Sequence, residues 1–200
     1  MDESAVFLTE LKRGMMEDIK TLCGDYEEKD GIIRAMADHF GVNDSSVILE
    51  AAVEVLPNGD DYPYPVVHFN LTIAKEIAEE NFAKVSELLN DLNVVFQTGD
   101  FPSFGSLCLY KPLKQIIYGY RMPVNVGAVE GERENIRFFL SNVFDQLDIF
   151  VDLILYIAQG NENLTLEEYL RFLGQMKDMY DLQERAELLE KKLNELGADR

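Results

Sequence analysis

Hydrophobic positions along this chain follow two periods. Ala5, Leu8, Leu11, Met15, Ile19 and Leu22 recur three and four residues apart, which predicts a helix over residues 3–23, with Gly24 placed to end it. The charged run 25–30 reads as a linker. Ile32, Ile33, Met36, Ala37 and Phe40 then return at helical spacing and predict a short second helix stopped by Gly41. Over 46–56 the period drops to two: Val47, Leu49, Ala51, Val53 and Val55 share one parity, and Glu50 and Glu54 the other. That is the pattern of a strand with one buried face. Pro57-Asn58-Gly59-Asp60-Asp61 is turn chemistry, and 65–73 alternates again, with Val67, Phe69, Leu71 and Ile73 inward.

Residues 79–96 return to helical spacing through Phe82, Val85, Leu88, Leu89, Leu92 and Val95. A second strand pair is expected at 103–110 and 115–122, where Ile116, Tyr118, Tyr120 and Met122 share a face. A long apolar helix follows at 132–158, with a stripe wide enough to demand substantial burial. Thr165 with Glu168 forms a capping-box signal for a last helix. The order α-α-β-β-α-β-β-α-α predicts an α+β fold, an antiparallel sheet with helices packed on one face. Three parts are expected: an N-terminal helix (1–30), an α+β core domain (31–160) and a C-terminal helix (161–200).

The C-terminal helix carries its own problem. Met179, Leu182, Ala186, Leu189, Leu193 and Leu196 form a heptad seam flanked by charged residues. Each buried leucine is worth about 1.5–3 kcal/mol. The seam is therefore expected to fold back on the helix at 3–23 or to pair with a second chain as a homodimer.

Composition narrows the classes of partner. There are 18 basic and 37 acidic residues, for a net charge of −19. That excess repels phosphate backbones and anionic lipid surfaces, and no Lys/Arg cluster offsets it, so neither nucleic acid nor membrane is expected as a partner. It keeps a protein soluble, and it favours basic partners. The longest apolar-rich stretch, 144–158, contains Asp145, Asp148 and Asp152 and is too short to span a bilayer. The acidic N-terminus lacks the basic start of a signal peptide, so a cytoplasmic location is expected, and three Asn-x-Ser/Thr matches are read as chance.

Candidate chemistry is sparse. Cys23 and Cys108 form neither a disulfide framework nor a zinc pattern, and Cys108, between Leu107 and Leu109, reads as a core thiol. No phosphate loop, His-Glu-x-x-His motif or EF-hand is present; the acidic run ending Asp30-Gly31 would put Tyr26 and Ala37 at ligand positions. His39 reads as the end of the short second helix and His68 as an outward strand position; catalysis by either needs partners brought in by the fold. No cofactor or metal is expected. Tyr62, Tyr64, Tyr110, Tyr118 and Tyr120 cluster around the sheet and read either as an aromatic recognition surface or as ordinary sheet packing.

One stretch carries a resemblance. A helix ending in Leu89-Asn90-Asp91-Leu92-Asn93 leads to Gly99-Asp100-Phe101, then to Ile117-Tyr118-Gly119-Tyr120-Arg121-Met122-Pro123-Val124 and a long apolar helix. Together with the preceding elements from residue 31, this resembles the YbjN family, which shares its fold with the type III secretion chaperones. The motifs are structural, and the helices at 3–23 and 165–196 look like additions to the pattern. The resemblance implies small, acidic, often dimeric proteins that bind other polypeptides without enzymatic activity. The expected function is thus a non-enzymatic protein-interaction module, chaperone-like or regulatory. Its expected partner-binding residues are Tyr118, Tyr120, Met179, Leu182, Leu189, Leu193 and Leu196. The alternative is an enzyme or small-ligand binder with a pocket assembled from dispersed residues.

Overall fold

A computed structural model describes residues 3–56, 64–98, 105–125 and 128–176, and residue 191. Helix α1 (Glu3–Cys23) leads into strands β1 (Tyr26–Lys29), β2 (Ile32–Phe40), β3 (Ser45–Leu56) and β4 (Tyr64–Ala74). After a 3₁₀ turn come helix α2 (Phe82–Thr98), strands β5 (Ser106–Tyr110) and β6 (Gln115–Pro123), and helices α3 (Val129–Ala158) and α4 (Leu166–Met176). Among the described residues the strands form one antiparallel sheet in the order β1-β2-β3-β4-β6-β5. The chain is therefore α+β, with its helices layered on one face of an antiparallel sheet.

Register decides which side chains form the core. Ile33, Ala51, Phe69 and Tyr120 lie across from one another on successive strands, as do Ala35, Leu49, Leu71, Tyr118 and Leu107. These rows face the helices. Phe139 of α3 lies against both Tyr120 (centroids 4.1 Å apart) and Phe69 (5.6 Å). Phe144 meets Phe40 edge-on, and Phe150 sits between Phe96 of α2 and Tyr169 of α4. Phe7, Leu11, Met15 and Ile19 of α1 belong to this same core, packed against α3 and β2.

Residues 25–41 depart from the sequence expectation. The linker and short second helix are instead the hairpin β1–β2. Asp30 (φ 53°) and Gly31 (φ 83°) occupy the two central positions of its turn. Paired positive φ angles are what a two-residue type I′ turn requires, and Asp-Gly is a strong signal for one. The helical spacing misleads because Ile32 and Met36 are exposed on the solvent side while Ile33, Ala35 and Ala37 are buried on the other. With apolar residues on both faces, period two disappears.

Two polar contacts pin α3 to the rest. Asp18 of α1, only 5% exposed, accepts hydrogen bonds from Arg133 (Nε, 3.1 Å) and Arg137 (Nε, 2.7 Å). A buried carboxylate needs such partners to stay folded in. Gly14 makes room for the crossing: a Cβ there would come within 3.0 Å of the Arg133 side chain. At the other end Asp148 accepts from Gly41 N (2.9 Å), and buried Asp152 accepts from Val42 N (2.8 Å) and Asn43 Nδ2 (2.6 Å). The β2–β3 turn is thus held by carboxylates of α3. The capping box also forms, with Thr165 and Glu168 bonded reciprocally at the start of α4.

Three stability changes follow. Phe139→Ala, at a site 3% exposed, should cost about 3–5 kcal/mol in urea unfolding; a cost under about 0.5 kcal/mol would place the ring on the surface. Gly41 has φ 65°, and a Cβ there would sit 2.3 Å from Asp152 Oδ2. Gly41→Ala should therefore cost about 2–4 kcal/mol. Gly131→Ala in α3, where nothing lies within 4 Å, should instead be neutral or stabilising by up to about 1 kcal/mol.

Candidate polypeptide-binding surface

Strands β2 to β6 bury one parity against the helices, and the other parity of the six-stranded sheet makes a second face. No described helix packs on that face. Its centre is polar: Arg34 Nε donates to Glu50 (2.9 Å), and Arg34 Nη1 reaches Glu27 (3.4 Å). One row to one side, Arg121 Nε donates to His68 Nε2 (3.4 Å), while His68 Nδ1 lies 3.8 Å from Glu54. On the other side the register sets Met36 beside Ile48, Ile48 beside Thr72, Thr72 beside Ile117 and Ile117 beside Cys108. The result is a mostly apolar row across five strands, in which Met36 is 54% exposed, Ile48 and Ile117 half-buried and Cys108 exposed. Cys108 is therefore not the core thiol that its apolar neighbours imply. Strand alternation sends Leu107 to the core and Cys108 to the solvent.

Both sheet edges are short. β1 is Tyr-Glu-Glu-Lys, and β5 has five residues. Shortness at both described edges, and charge on β1, resist pairing with a foreign strand. The face therefore offers contact where the edges do not.

The expected partner-binding residues separate in the structure. Tyr118 is 1% exposed, with Gly105 N donating to its hydroxyl at 2.9 Å, so it is a packing residue on the helix side. Tyr120 is half-buried on that same side against Phe139. The sheet brings these two tyrosines into the core because they share the parity of Ile116. Tyr110 is exposed at the end of β5. Met179, Leu182, Leu189, Leu193 and Leu196 lie outside the described residues, as does Tyr62. The row from Met36 to Cys108 escaped sequence reading because 31–41 reads as helix; Asp30-Gly31 was the signal that could have found it.

His39 does not end a helix: it sits in left-handed conformation (φ 70°) near the end of β2, with Nδ1 2.5 Å from Asp44 Oδ1. Its exposed ring faces that hairpin carboxylate. His68 has one ring nitrogen against Arg121 and the other toward Glu54, and neither histidine lines the described clefts. Burial, with Asp38 nearby, pushes the Cys23 thiol up to about 11, and burial raises Cys108, so neither thiol is activated. Tyr169, hydrogen-bonded to Ile149 O (2.5 Å), is raised by burial and then by Asp152 and Asp148. It is a structural phenol.

Among the described residues no group of three or more His, Cys, Asp or Glu is placed to hold a metal ion. No described helix is long and apolar enough to cross a membrane. No protein-family model, curated protein or solved structure matches the chain.

Asp44, first as hydrogen-bond acceptor and then as charge, holds His39 above the ordinary imidazole value. The folded state thus favours the imidazolium. The stability it lends is present below about 6.5 and fades as pH rises through the raised folded value. NMR titration should place His39 above about 6.5, and Asp44→Asn should bring it down toward that value. A wild-type His39 titrating at or below it would refute the pairing.

Proposed function

We propose that this chain is a non-enzymatic protein-interaction module, chaperone-like or regulatory, that engages another polypeptide with the open face of its sheet. The observation that carries the reading is the row of Met36, Ile48, Ile117 and Cys108 on a face that no described helix covers. Polar residues at these positions would leave the core untouched. Apolar ones leave surface in water that is worth about 25 cal/mol per Å² when a partner removes it. The polar positions of the face suit contact as well. Arg34 is matched to Glu50 and Glu27, so a partner meets satisfied charges rather than bare acids. The resemblance to polypeptide-binding families points the same way. A second copy of this chain is one such polypeptide, and the seam from Met179 to Leu196 is a further place for a homodimer contact.

The test places a photo-crosslinking amino acid at position 36, at 117, and at the exposed helix-layer position 134, each in the full chain inside its own cells. Adducts are expected from 36 and 117 and not from 134. Their mass separates a second copy from a different protein. Adducts from all three positions alike, or from 134 alone, would refute a specific face, as would none from 36 and 117.

A further inference from the structure

The largest described cleft, about 460 Å³, lies on the helix layer, away from the sheet face. It runs between α2, the C-terminal end of α3 and the start of α4. Its floor is apolar: Leu88, Ile157, Leu164 and Leu166. Its rim is acidic. Glu87 and Asp91 stand one turn apart on α2, and Glu162 and Glu167 face them from the other side. Among the described lining residues the one cation, Lys84, is already paired with Glu162, and Glu167 is paired with Arg171 one turn along α4, which leaves Glu87 and Asp91 as the surplus. Like charges at i and i+4 on a helix are unfavourable, and Glu87 and Asp91 hold that spacing. The cleft thus has an apolar floor, a polar rim and a surplus of one sign of charge.

The walls decide the conformation of an occupant. They are mainly helices, whose backbone groups are bonded within themselves; in the α3–α4 connection that completes them, Asn161 N is bonded to Tyr156 O and Thr165 N to Glu168, which closes the first turn of α4 with its capping box. An extended segment would find no backbone partners on the helical walls. A helix brings its own hydrogen bonds and needs only an apolar stripe. The rim decides its charge: flanking lysines or arginines would meet Glu87 and Asp91. The chain's own segment 177–200 does not meet that requirement, because acids outnumber bases in it.

We propose that the α2–α4 cleft binds a basic amphipathic helix of a partner protein, its apolar stripe on Leu88, Ile157, Leu164 and Leu166 and its cations on the acidic rim. This site is separate from the sheet face and stands whether or not that face binds a polypeptide.

A chain with net charge −19 attracts any cation, so the test must separate a built site from bulk attraction. The probe is a labelled synthetic helix of leucine and lysine, about 18 residues long, with its leucines on one stripe. Its control is the same composition scrambled to remove the stripe. Fluorescence anisotropy with the full chain should show the striped peptide binding at least about tenfold tighter than the scrambled one. Glu87→Lys with Asp91→Lys should weaken the striped peptide by about tenfold or more. Reversal at two exposed acids elsewhere, Glu10→Lys with Glu134→Lys, should cost less than about threefold. All four positions are exposed, and a thermal melt verifies that each variant folds. Equal binding of both peptides, or equal losses from the two pairs of reversals, would overturn the proposal and leave charge attraction alone.

Discussion

Everything in this fold depends on the burial of α3. The helix runs Val129–Ala158, and Ile136, Phe139, Leu140, Val143, Leu147, Phe150, Val151, Leu153 and Ile154 along it are almost wholly removed from water. A helix this apolar has to be enclosed by other elements. The sheet encloses it below through Phe69 and Tyr120, α2 and α4 through Phe96 and Tyr169, and α1 alongside. Polar ties at its two ends fix its position. Arg133 and Arg137 are held by Asp18 near the start, while Asp148 and Asp152 hold the β2–β3 turn further along. With α3 placed, the helix layer is complete over one side of the sheet, and the other side is left without a described helix.

That asymmetry explains what could be read in the sequence and what could not. Strands β3 and β4 keep Ser46, Glu50 and Glu54, and His68, Asn70 and Thr72, on the parity opposite their core residues, so their alternation is plain in spite of Ile48. β2 does not. Ile32 and Met36 sit on its solvent side, and a strand that is apolar on both sides imitates the spacing of a helix. Cys108 misleads in the same way, as a solvent-side residue between two apolar neighbours. Sequence reading thus fails at two positions of the very row proposed to meet a partner. The link is physical: apolar residues placed for an external contact add a second hydrophobic parity to the one that packs the core. Where local pattern and fold disagree, function is a reasonable place to look for the cause.

The place of α1 in the fold, unlike its extent, was illegible for another reason. Its stripe predicts a helix well but says nothing about its partner. The contact that anchors it joins Asp18 to residues more than a hundred positions away and needs a glycine, Gly14, where Arg133 crosses. No periodicity encodes a pair that distant. The acidic cleft has the same character, since Glu87, Asp91 and Glu167 meet only because α4 turns back onto α2.

The distribution of charge separates the two surfaces. Summed over the chain, −19 predicts repulsion from anything acidic, a second copy included. On the sheet face the acids are not bare: Glu50 and Glu27 are held by Arg34, and Glu54 stands beside His68, which is bonded to Arg121. Short-range repulsion is therefore weakest there, and apolar contact can decide binding. In the cleft, Glu87 and Asp91 have no such compensation from Lys84, which Glu162 already holds, while Glu167 is paired with Arg171, so a cation would gain both from the long-range field and from the local rim. The same excess of acid would thus select differently at the two proposed surfaces: a near-balanced face would admit polypeptides of either charge, and the cleft would favour basic ones.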